Sequence, residues 1–193
     1  MDREEMEERV LKAAGRMFSQ LGYDATTLEM IAGAVGRGSE CSELLQRGKQ
    51  GLYREVFAYI YKLSEDRMRT ALEKASDDAG GLHYTVDEYI DLILEHPEIP
   101  ALWKQRGLLD AVDIDFPEEH LQPPLQAALT SRRWEGTRPD LDLKFLSWLV
   151  MWSMGGFIDN GLPDDSGQCH LADHPPTLQY FRARLHEMID RMA

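Results

Sequence analysis

The sequence has no long apolar run. No stretch of its 193 residues approaches the roughly 18 consecutive apolar residues of a membrane span. The richest stretch, Phe145 to Ile158, is interrupted by two serines and two glycines. The first ten residues, MDREEMEERV, are acidic and polar, unlike a secretory signal. We therefore expect a cytoplasmic protein with no membrane partner.

Cysteine and the common catalytic motifs are equally scarce. The two cysteines, Cys41 and Cys169, are too few for a disulfide framework, which favours a reducing compartment. Ligand-type side chains cluster between Cys169 and His174, but in a loop-like stretch where a solvated polar loop is favoured over a metal site. No P-loop, dinucleotide fingerprint or G-x-S-x-G occurs. We expect no catalytic residues, no metal and no cofactor, and thus not an enzyme.

No run of alternating β-branched residues indicates a strand, and the apolar spacing is helical almost throughout. The spacing predicts an all-α chain. A first helix ends at Gly22, and a T-x-x-E capping box of Thr26 and Glu29 opens a second that Gly36 ends. After a break at 77–81, later helices are predicted at Val86–Glu95, Ala101–Val112, Pro117–Arg133, Leu141–Asn160 and Pro176–Met192.

The net charge of −13 argues against a general nucleic-acid coat protein, yet the charge is unevenly divided. Between Arg9 and Arg54 there are seven basic and four acidic side chains, whereas from residue 61 onward there are 13 and 24. A mildly basic head on an acidic body is typical of a DNA-binding module joined to a different function. The alternative is that short windows fluctuate by a few charges.

A third short helix is predicted near residues 38–45, after a tight glycine turn. Three short helices in this arrangement predict a helix-turn-helix. The second helix would brace on the DNA backbone with its N-terminal amides, and the third would present side chains to base edges. Thr26 would cap the second helix. Thr27 would offer a hydroxyl, and Lys49 a charge, to phosphates.

Residues 9–36, RVLKAAGRMFSQLGYDATTLEMIAGAVG, closely resemble the N-terminal domain of tetracycline-repressor-type (TetR) regulators. The segment Lys49 to Phe57 resembles the K-x-x-L opening of that family's next, long helix, at the same offset from Gly36. The resemblance covers about the first 60 residues. It implies a homodimer that binds double-stranded operator DNA. The candidate DNA-binding residues are Thr26, Thr27, Arg37, Ser39, Cys41, Ser42, Glu43, Arg47 and Lys49.

The sequence departs from the family pattern between Gly36 and Lys49. Arg37 replaces an apolar residue, Glu43 an aromatic one, and Gln46 the phenylalanine that packs the following corner. A carboxylate near phosphate is repulsive, and is useful only where it accepts from a cytosine amine. Three explanations stay open. The segment reads an unusual operator, the chain has lost operator reading, or two compensating frame changes lie in the gene or its sequencing.

The C-terminal part is rich in tryptophan and methionine, which line adaptable apolar pockets. The family resemblance implies such a pocket, for a small apolar or amphipathic effector. An ordinary helical core is the alternative for each residue. The candidate ligand-binding residues are Trp103, Trp134, Trp148, Met151, Trp152 and Phe157.

The last two predicted helices each carry a broad apolar stripe. Two such helices from each of two copies could form a four-helix dimer interface, although packing within one chain permits the same spacing. One stripe is Leu141, Phe145, Trp148, Leu149, Trp152 and Phe157, and the other is Leu178, Phe181, Leu185, Met188, Ile189 and Met192.

The predicted organisation is therefore a helix-turn-helix DNA-binding domain at 1–50, a bridging helix at about 49–75, and a helical ligand-binding and dimerisation domain at 76–193. The predicted function is a ligand-responsive one-component transcriptional regulator, a repressor of a palindromic operator. The alternative is a helical ligand- or partner-binding protein whose helix-turn-helix has lost operator reading. The sequence names neither effector nor target genes.

Overall fold

The structure, a computed structural model, describes residues 3–36, 46–108, 111, 113–115 and 122–192. Within those residues the chain forms eight helices and one short hairpin, which confirms the all-α fold. The helices are α1 (Arg3–Ala25), α2 (Leu28–Val35), α3 (Gly48–Lys74), α4 (Ala79–Glu95), α5 (Glu98–Gly107), α6 (Pro124–Thr130), α7 (Leu143–Asn160) and α8 (Pro175–Met192).

The chain divides into two compact units. The first contains Met1–Leu63 and Glu98–Leu121, and the second contains Ser64–Pro97 and Gln122–Ala193. Helix α3 therefore contributes residues to both units. The segment that contains α5 belongs with the first unit, whereas the predicted organisation included it in the ligand-binding and dimerisation domain at 76–193.

In the first unit, α1 packs against α2 and α5. The predicted stop at Gly22 is confirmed, because this residue has φ 81° and ψ 169°, outside the helical region. A φ of this sign strains any side chain, so glycine suits the position. The core contains side chains from each of these helices and from α3: Val10, Phe18, Ile31, Leu52, Tyr53, Val56, Phe57, Ile60, Ile99 and Leu102.

Helix α2 ends at Gly36, as predicted, with a φ of 99° at that residue. The Arg9 guanidinium donates to the Val35 carbonyl oxygen at 3.0 Å. This bond satisfies one of the carbonyls that the helix end leaves without an intrahelical partner, and ties α2 to α1.

In the second unit, α4 packs against α6, α7 and α8. Helix α4 begins at Ala79, seven residues before the predicted start at Val86. Asp78 caps it by accepting from the Gly81 amide at 3.0 Å, so the break between α3 and α4 lies at 75–78, and residues 79–81 of the predicted break open α4. A Cβ at Gly81 would lie 1.8 Å from the Ser76 carbonyl oxygen, so only glycine fits at this position without displacing the chain.

Both ends of α5 and both ends of α6 also differ from the predictions. Helix α5 begins at Glu98 and ends at Gly107, and Pro100 lies in its first turn, where no intrahelical donor is needed. Helix α6 begins at Pro124 and ends at Thr130. Its predicted extension to Arg133 is prevented by a turn in which the Trp134 indole donates to the Leu129 carbonyl at 3.0 Å.

A hairpin that the sequence did not predict joins α7 to α8. Strands β1 (Leu162–Pro163) and β2 (Cys169–His170) pair antiparallel. Gly161 precedes β1 with φ 66°, and a Cβ there would lie 2.3 Å from the His170 carbonyl oxygen. Within the described part of the chain, no helix is long and apolar enough to cross a membrane.

Candidate functional site

The start of α2 lies one residue later than predicted. Thr27 is the N-cap, in an extended conformation, and its hydroxyl accepts from the Met30 amide at 3.3 Å. Thr26, which the T-x-x-E spacing predicted as the cap, is fully buried, and its hydroxyl donates to the Gly22 carbonyl at 2.8 Å. The reason is the break at Gly22, which frees a carbonyl that Thr26 can reach.

A carboxylate already occupies the first turn of α2. Glu29 accepts from its own backbone amide and then from the Thr27 hydroxyl, and these bonds hold the pKa of its carboxyl below the ordinary value. Glu29 is exposed, as is Thr27. The exposed N-terminus of α2, which the helix dipole makes attractive to anions, therefore carries both a hydroxyl and a negative charge.

Lys49 lies in the first turn of α3, beside the end of α1. Its ammonium donates to the Asp24 carbonyl oxygen at 3.1 Å and lies 4.3 Å from the centroid of the Tyr23 ring. The cation is thus positioned by two residues that directly follow Gly22. The structure brings the predicted phosphate contact to the corner between α1 and α3.

Arg47 stands one residue before α3 and is held between two helices. Its Nη2 lies 2.8 Å from Glu7 Oε1 on α1, and its Nη1 lies 2.5 Å from Glu55 Oε2 on α3. Hydrogen bonds to Glu55 and to Glu7 raise the pKa of the guanidinium above its ordinary value. The predicted DNA-binding arginine is therefore already paired with two carboxylates.

The remaining predicted DNA-binding residues lie outside the described residues. They are Arg37, Ser39, Cys41, Ser42 and Glu43, and Glu40 lies with them. Their assignment to the reading segment stays a prediction.

A chain of aromatic rings leads from the Lys49 corner through the core of the first unit. Tyr23 meets Tyr53 edge-on at 5.0 Å, Tyr53 lies 5.0 Å from Phe57, and Phe57 meets Trp103 edge-on at 5.2 Å. Trp103, a predicted ligand-binding residue, is 40% exposed. It therefore lies at the solvent end of this aromatic chain.

The other candidate ligand-binding residues lie in the second unit and divide by burial. Trp134 and Phe157 are buried, the first with its indole bonded to Leu129 and the second stacked on Phe181 at 4.4 Å. Trp148 and Trp152 lie 5.7 Å apart on α7, and Trp152 is 61% exposed. Met151 is half-buried.

Helix α7 buries a different face from the predicted stripe. Its buried residues are Leu146, Ser147, Val150, Met154 and Phe157, and of these the stripe contains Phe157 alone. Phe145 is 48% exposed, and with Trp148 and Trp152 it forms an outward aromatic face. We call these three residues the α7 aromatic face. The second stripe is partly internal, since Leu185 and Ile189 of α8 are buried.

The polar segment around Cys169 forms a hydrogen-bonded hairpin loop. Asp164 accepts from the Ser166 hydroxyl and from His170, and these bonds hold the pKa of Asp164 well below its ordinary value. The His170 ring stacks on His174 at 4.4 Å. Among the described residues, no group of three or more histidine, cysteine or acidic side chains is placed to hold a metal ion.

No protein-family model matches the sequence. A curated protein, the uncharacterized HTH-type transcriptional regulator YhgD of Bacillus subtilis (strain 168), is 28% identical over 86 residues. That match covers 45% of this chain and 43% of YhgD, so the chain matches less than half the length of this relative.

Solved structures of similar fold cover nearly the whole chain. Apo AibR superposes with a TM-score of 0.64 at 16% identity, over 96% of this chain and 98% of its own. A gamma-butyrolactone receptor, an ArpA-like protein, gives the same TM-score and identity over 99% and 98%. AibR in complex with isovaleryl coenzyme A and operator DNA gives 0.58 at 15% identity, over 96% and 98%. At these identities the likeness establishes the fold.

Proposed function

We propose that the chain is a ligand-responsive transcriptional regulator of the tetracycline-repressor type. The observation that supports this most strongly is the arrangement at the corner of α1, α2 and α3. Thr27 is exposed at the start of α2, and Lys49, in the first turn of α3, is held at the end of α1 by the Asp24 carbonyl. The surrounding fold is shared over nearly its full length with AibR, a protein solved with operator DNA. Domains at 1–50 for DNA and 76–193 for effector and dimerisation are part of the proposal.

The regulator would bind a palindromic operator as a homodimer and act as a repressor. The α7 aromatic face supports the dimer, because large exposed aromatic side chains clustered on one helix typically mark an interface. Two such faces from α7 and α8 of each copy would build a four-helix interface. Dimer symmetry would then match the two-fold symmetry of the operator.

The effector would be a small apolar or amphipathic molecule. AibR, with the same fold, has been solved with isovaleryl coenzyme A, an acyl thioester. An effector changes operator affinity only if it binds one conformation better than the other. A typical coupling of about 1–3 kcal/mol lowers operator affinity roughly 5- to 150-fold. A compound that binds the protein while operator affinity stays constant contradicts this mechanism.

The test of DNA binding uses the full chain and DNA flanking its own gene. Fluorescence anisotropy is measured with and without unrelated competitor DNA at two salt concentrations. Tight, competitor-resistant binding supports operator reading. Weak binding that disappears with salt indicates phosphate contacts alone.

A second candidate is a helical ligand- or partner-binding protein that has lost operator reading. It is favoured by the carboxylates Glu40 and Glu43 in the reading segment and by the two carboxylates paired with Arg47. The double substitution Glu43→Tyr and Gln46→Phe restores the side chains typical of the family. If it creates sequence-specific binding where the native chain has none, this candidate is supported. The codons for residues 37–47 show directly whether a shifted frame restores those aromatics.

A further inference from the structure

Arg47 has both of its terminal nitrogens occupied by carboxylates from different helices. Nη2 lies 2.8 Å from Oε1 of Glu7 on α1, and Nη1 lies 2.5 Å from Oε2 of Glu55 on α3. The side chain of Arg47 is one third exposed, and those of the two glutamates are similarly so. These three side chains are therefore accessible to solvent.

These nitrogens are the same donors that an arginine uses for phosphate. A guanidinium holds a phosphate through parallel N–H···O bonds, in the geometry with which it holds a carboxylate. One positive and two negative charges leave the three side chains with a net charge of −1. Arg47 is two residues before Lys49 in the sequence, and its group as it stands repels a DNA backbone that an unpaired Arg47 would attract.

Glu8, the next residue after Glu7, offers a comparison within the same helix. It pairs with Lys12, one turn further along α1, at 2.7 Å, and both side chains are about half exposed. Its removal takes away the same charge at nearly the same place. It leaves both Arg47 ion pairs intact.

We propose that Glu7 and Glu55 occupy Arg47 in place of a DNA phosphate, so that Arg47 joins the DNA interface only by exchanging these carboxylates for phosphate. The two glutamates thus lower the affinity of the chain for any duplex. This inference rests on the proposed DNA-binding function. It adds to that function an intramolecular competitor made from this chain's own residues.

The test compares Glu7→Gln with Glu8→Gln in the full chain. Each removes one negative charge, one residue apart on α1, and only the first releases a nitrogen of Arg47. The double variant E7Q/E55Q releases both nitrogens of Arg47. Its control is E4Q/E8Q, which also removes two negative charges. Binding to a fluorescent duplex is measured by anisotropy between 50 and 200 mM salt. Circular dichroism confirms that each variant is folded.

We expect E7Q/E55Q to bind more tightly than E4Q/E8Q and with a steeper dependence on salt. One added phosphate contact steepens the slope of log K against log salt by about 0.9. Over this fourfold range of salt, the ratio of the two affinities should therefore fall by roughly 3.5-fold. In a background carrying Arg47→Gln, the tighter binding and the steeper salt slope of E7Q/E55Q relative to E4Q/E8Q should both disappear.

Three outcomes contradict the inference. If native protein binds duplex and E7Q/E55Q has the slope of its control, the inference is wrong and the proposed function stands. Weaker binding by E7Q/E55Q at an unchanged slope means that the glutamates position the corner and do not compete with DNA. If no variant binds duplex even at 50 mM salt, the DNA-binding function fails and the exchange fails with it. Binding by E7Q/E55Q alone would support the exchange and show that the native carboxylates prevent binding.

Discussion

Thr26 and Thr27 are adjacent and chemically alike, yet one hydroxyl acts as a buried hydrogen-bond donor and the other as an exposed acceptor. Thr26 turns inward and its hydroxyl donates to the carbonyl that the break at Gly22 leaves free. Thr27 stays exposed and accepts from the Met30 amide. The difference arises from the backbone, because Thr27 has the extended conformation of an N-cap.

Replacing Thr27 with alanine should destabilise the first unit by about 1 kcal/mol, the usual cost of losing an N-cap hydroxyl. Thr27→Ser keeps the acceptor and should retain most of that stability. The free energy of unfolding from urea titration measures both. Equal losses in the alanine and serine variants would mean that the Thr27 hydroxyl does not cap α2.

Gly81 and Gly80 provide a second matched pair of residues. A Cβ on Gly81 would meet the Ser76 backbone at 1.8 Å, so Gly81→Ala must displace the chain before α4. We expect a loss of about 3 kcal/mol, at the upper end of ordinary overpacking. A Cβ on Gly80 would meet side chains and no backbone, the Asp78 carboxylate at 3.2 Å and the Ser76 hydroxyl at 4.0 Å, and a side chain can move. Gly80→Ala should therefore be nearly neutral in the same urea titration, and a neutral Gly81→Ala would contradict this packing.

Among the elements, α4 shows how a sequence break becomes a helix start. Asp78 accepts from the Ser76 hydroxyl and then from the Gly81 amide, and these bonds hold its pKa below the ordinary value. The ionised form is thus favoured by folding. A carboxyl of lowered pKa stabilises the fold at pH values well above about 3.9, and this contribution disappears as the pH falls through its folded pKa.

Asp78→Asn keeps an acceptor for the Gly81 amide but cannot titrate. We expect the native protein to be the more stable of the two at pH 7, and the difference to shrink progressively below about pH 4. Urea titrations from pH 7 to pH 3 measure it. A difference that is constant over this range would show that the ionised form of Asp78 is not favoured by folding.

At the scale of the whole molecule, the α7 aromatic face is an apolar surface on the outside of the second unit. Phe145 and Trp152 are each about half exposed or more. The buried side of α7 is formed by other residues, so Phe145 and Trp152 lie outside the core of the second unit. A second copy of the chain is the occupant that the proposed function requires.

If the proposed dimer forms through the α7 aromatic face, substituting Trp152 with arginine should convert it to a monomer. The expected change is from about 44 kDa, twice the chain mass of 22.1 kDa, to the mass of one chain. Light scattering coupled to size exclusion measures it. Leu171→Arg, at another exposed apolar residue on the loop before α8, serves as the control and should stay dimeric. A native protein that elutes as a monomer would refute the dimer.

The sequence predicted the fold class and the two glycine stops because both follow from local rules. Gly22 and Gly36 have the positive φ values that the helix-end pattern implies. The start of α4 was missed because the glycines at 80 and 81 indicate a break, whereas the close approach of the Ser76 backbone requires glycine at 81 inside the first turn of the helix. The predicted stripe contains the α7 aromatic face, but the buried face of α7 was not predicted, because a broad apolar stripe does not show which of its edges is buried.

The predicted role of Arg47 shows the limit of counting charge along the chain. A window that starts at Arg9 omits Glu7, which is 40 residues away from Arg47 in sequence and 2.8 Å away in space. Helix α1 must first extend to Arg3 and pack beside α3 before the two can meet. The assignments of Thr27, Lys49 and the reading segment to DNA contacts stay predictions.

The contact between Trp103 and Phe57 has a spectroscopic consequence. Of the four tryptophans, Trp103 alone belongs to the first unit, while Trp134, Trp148 and Trp152 belong to the second. A chain that keeps only Trp103, with the other three indoles replaced by phenylalanine, would emit fluorescence from the end of the aromatic chain that begins beside Lys49. Its emission maximum and its quenching by acrylamide would then follow events in the first unit without labelling. An effector bound to the second unit that shifts this emission would reveal communication between the units.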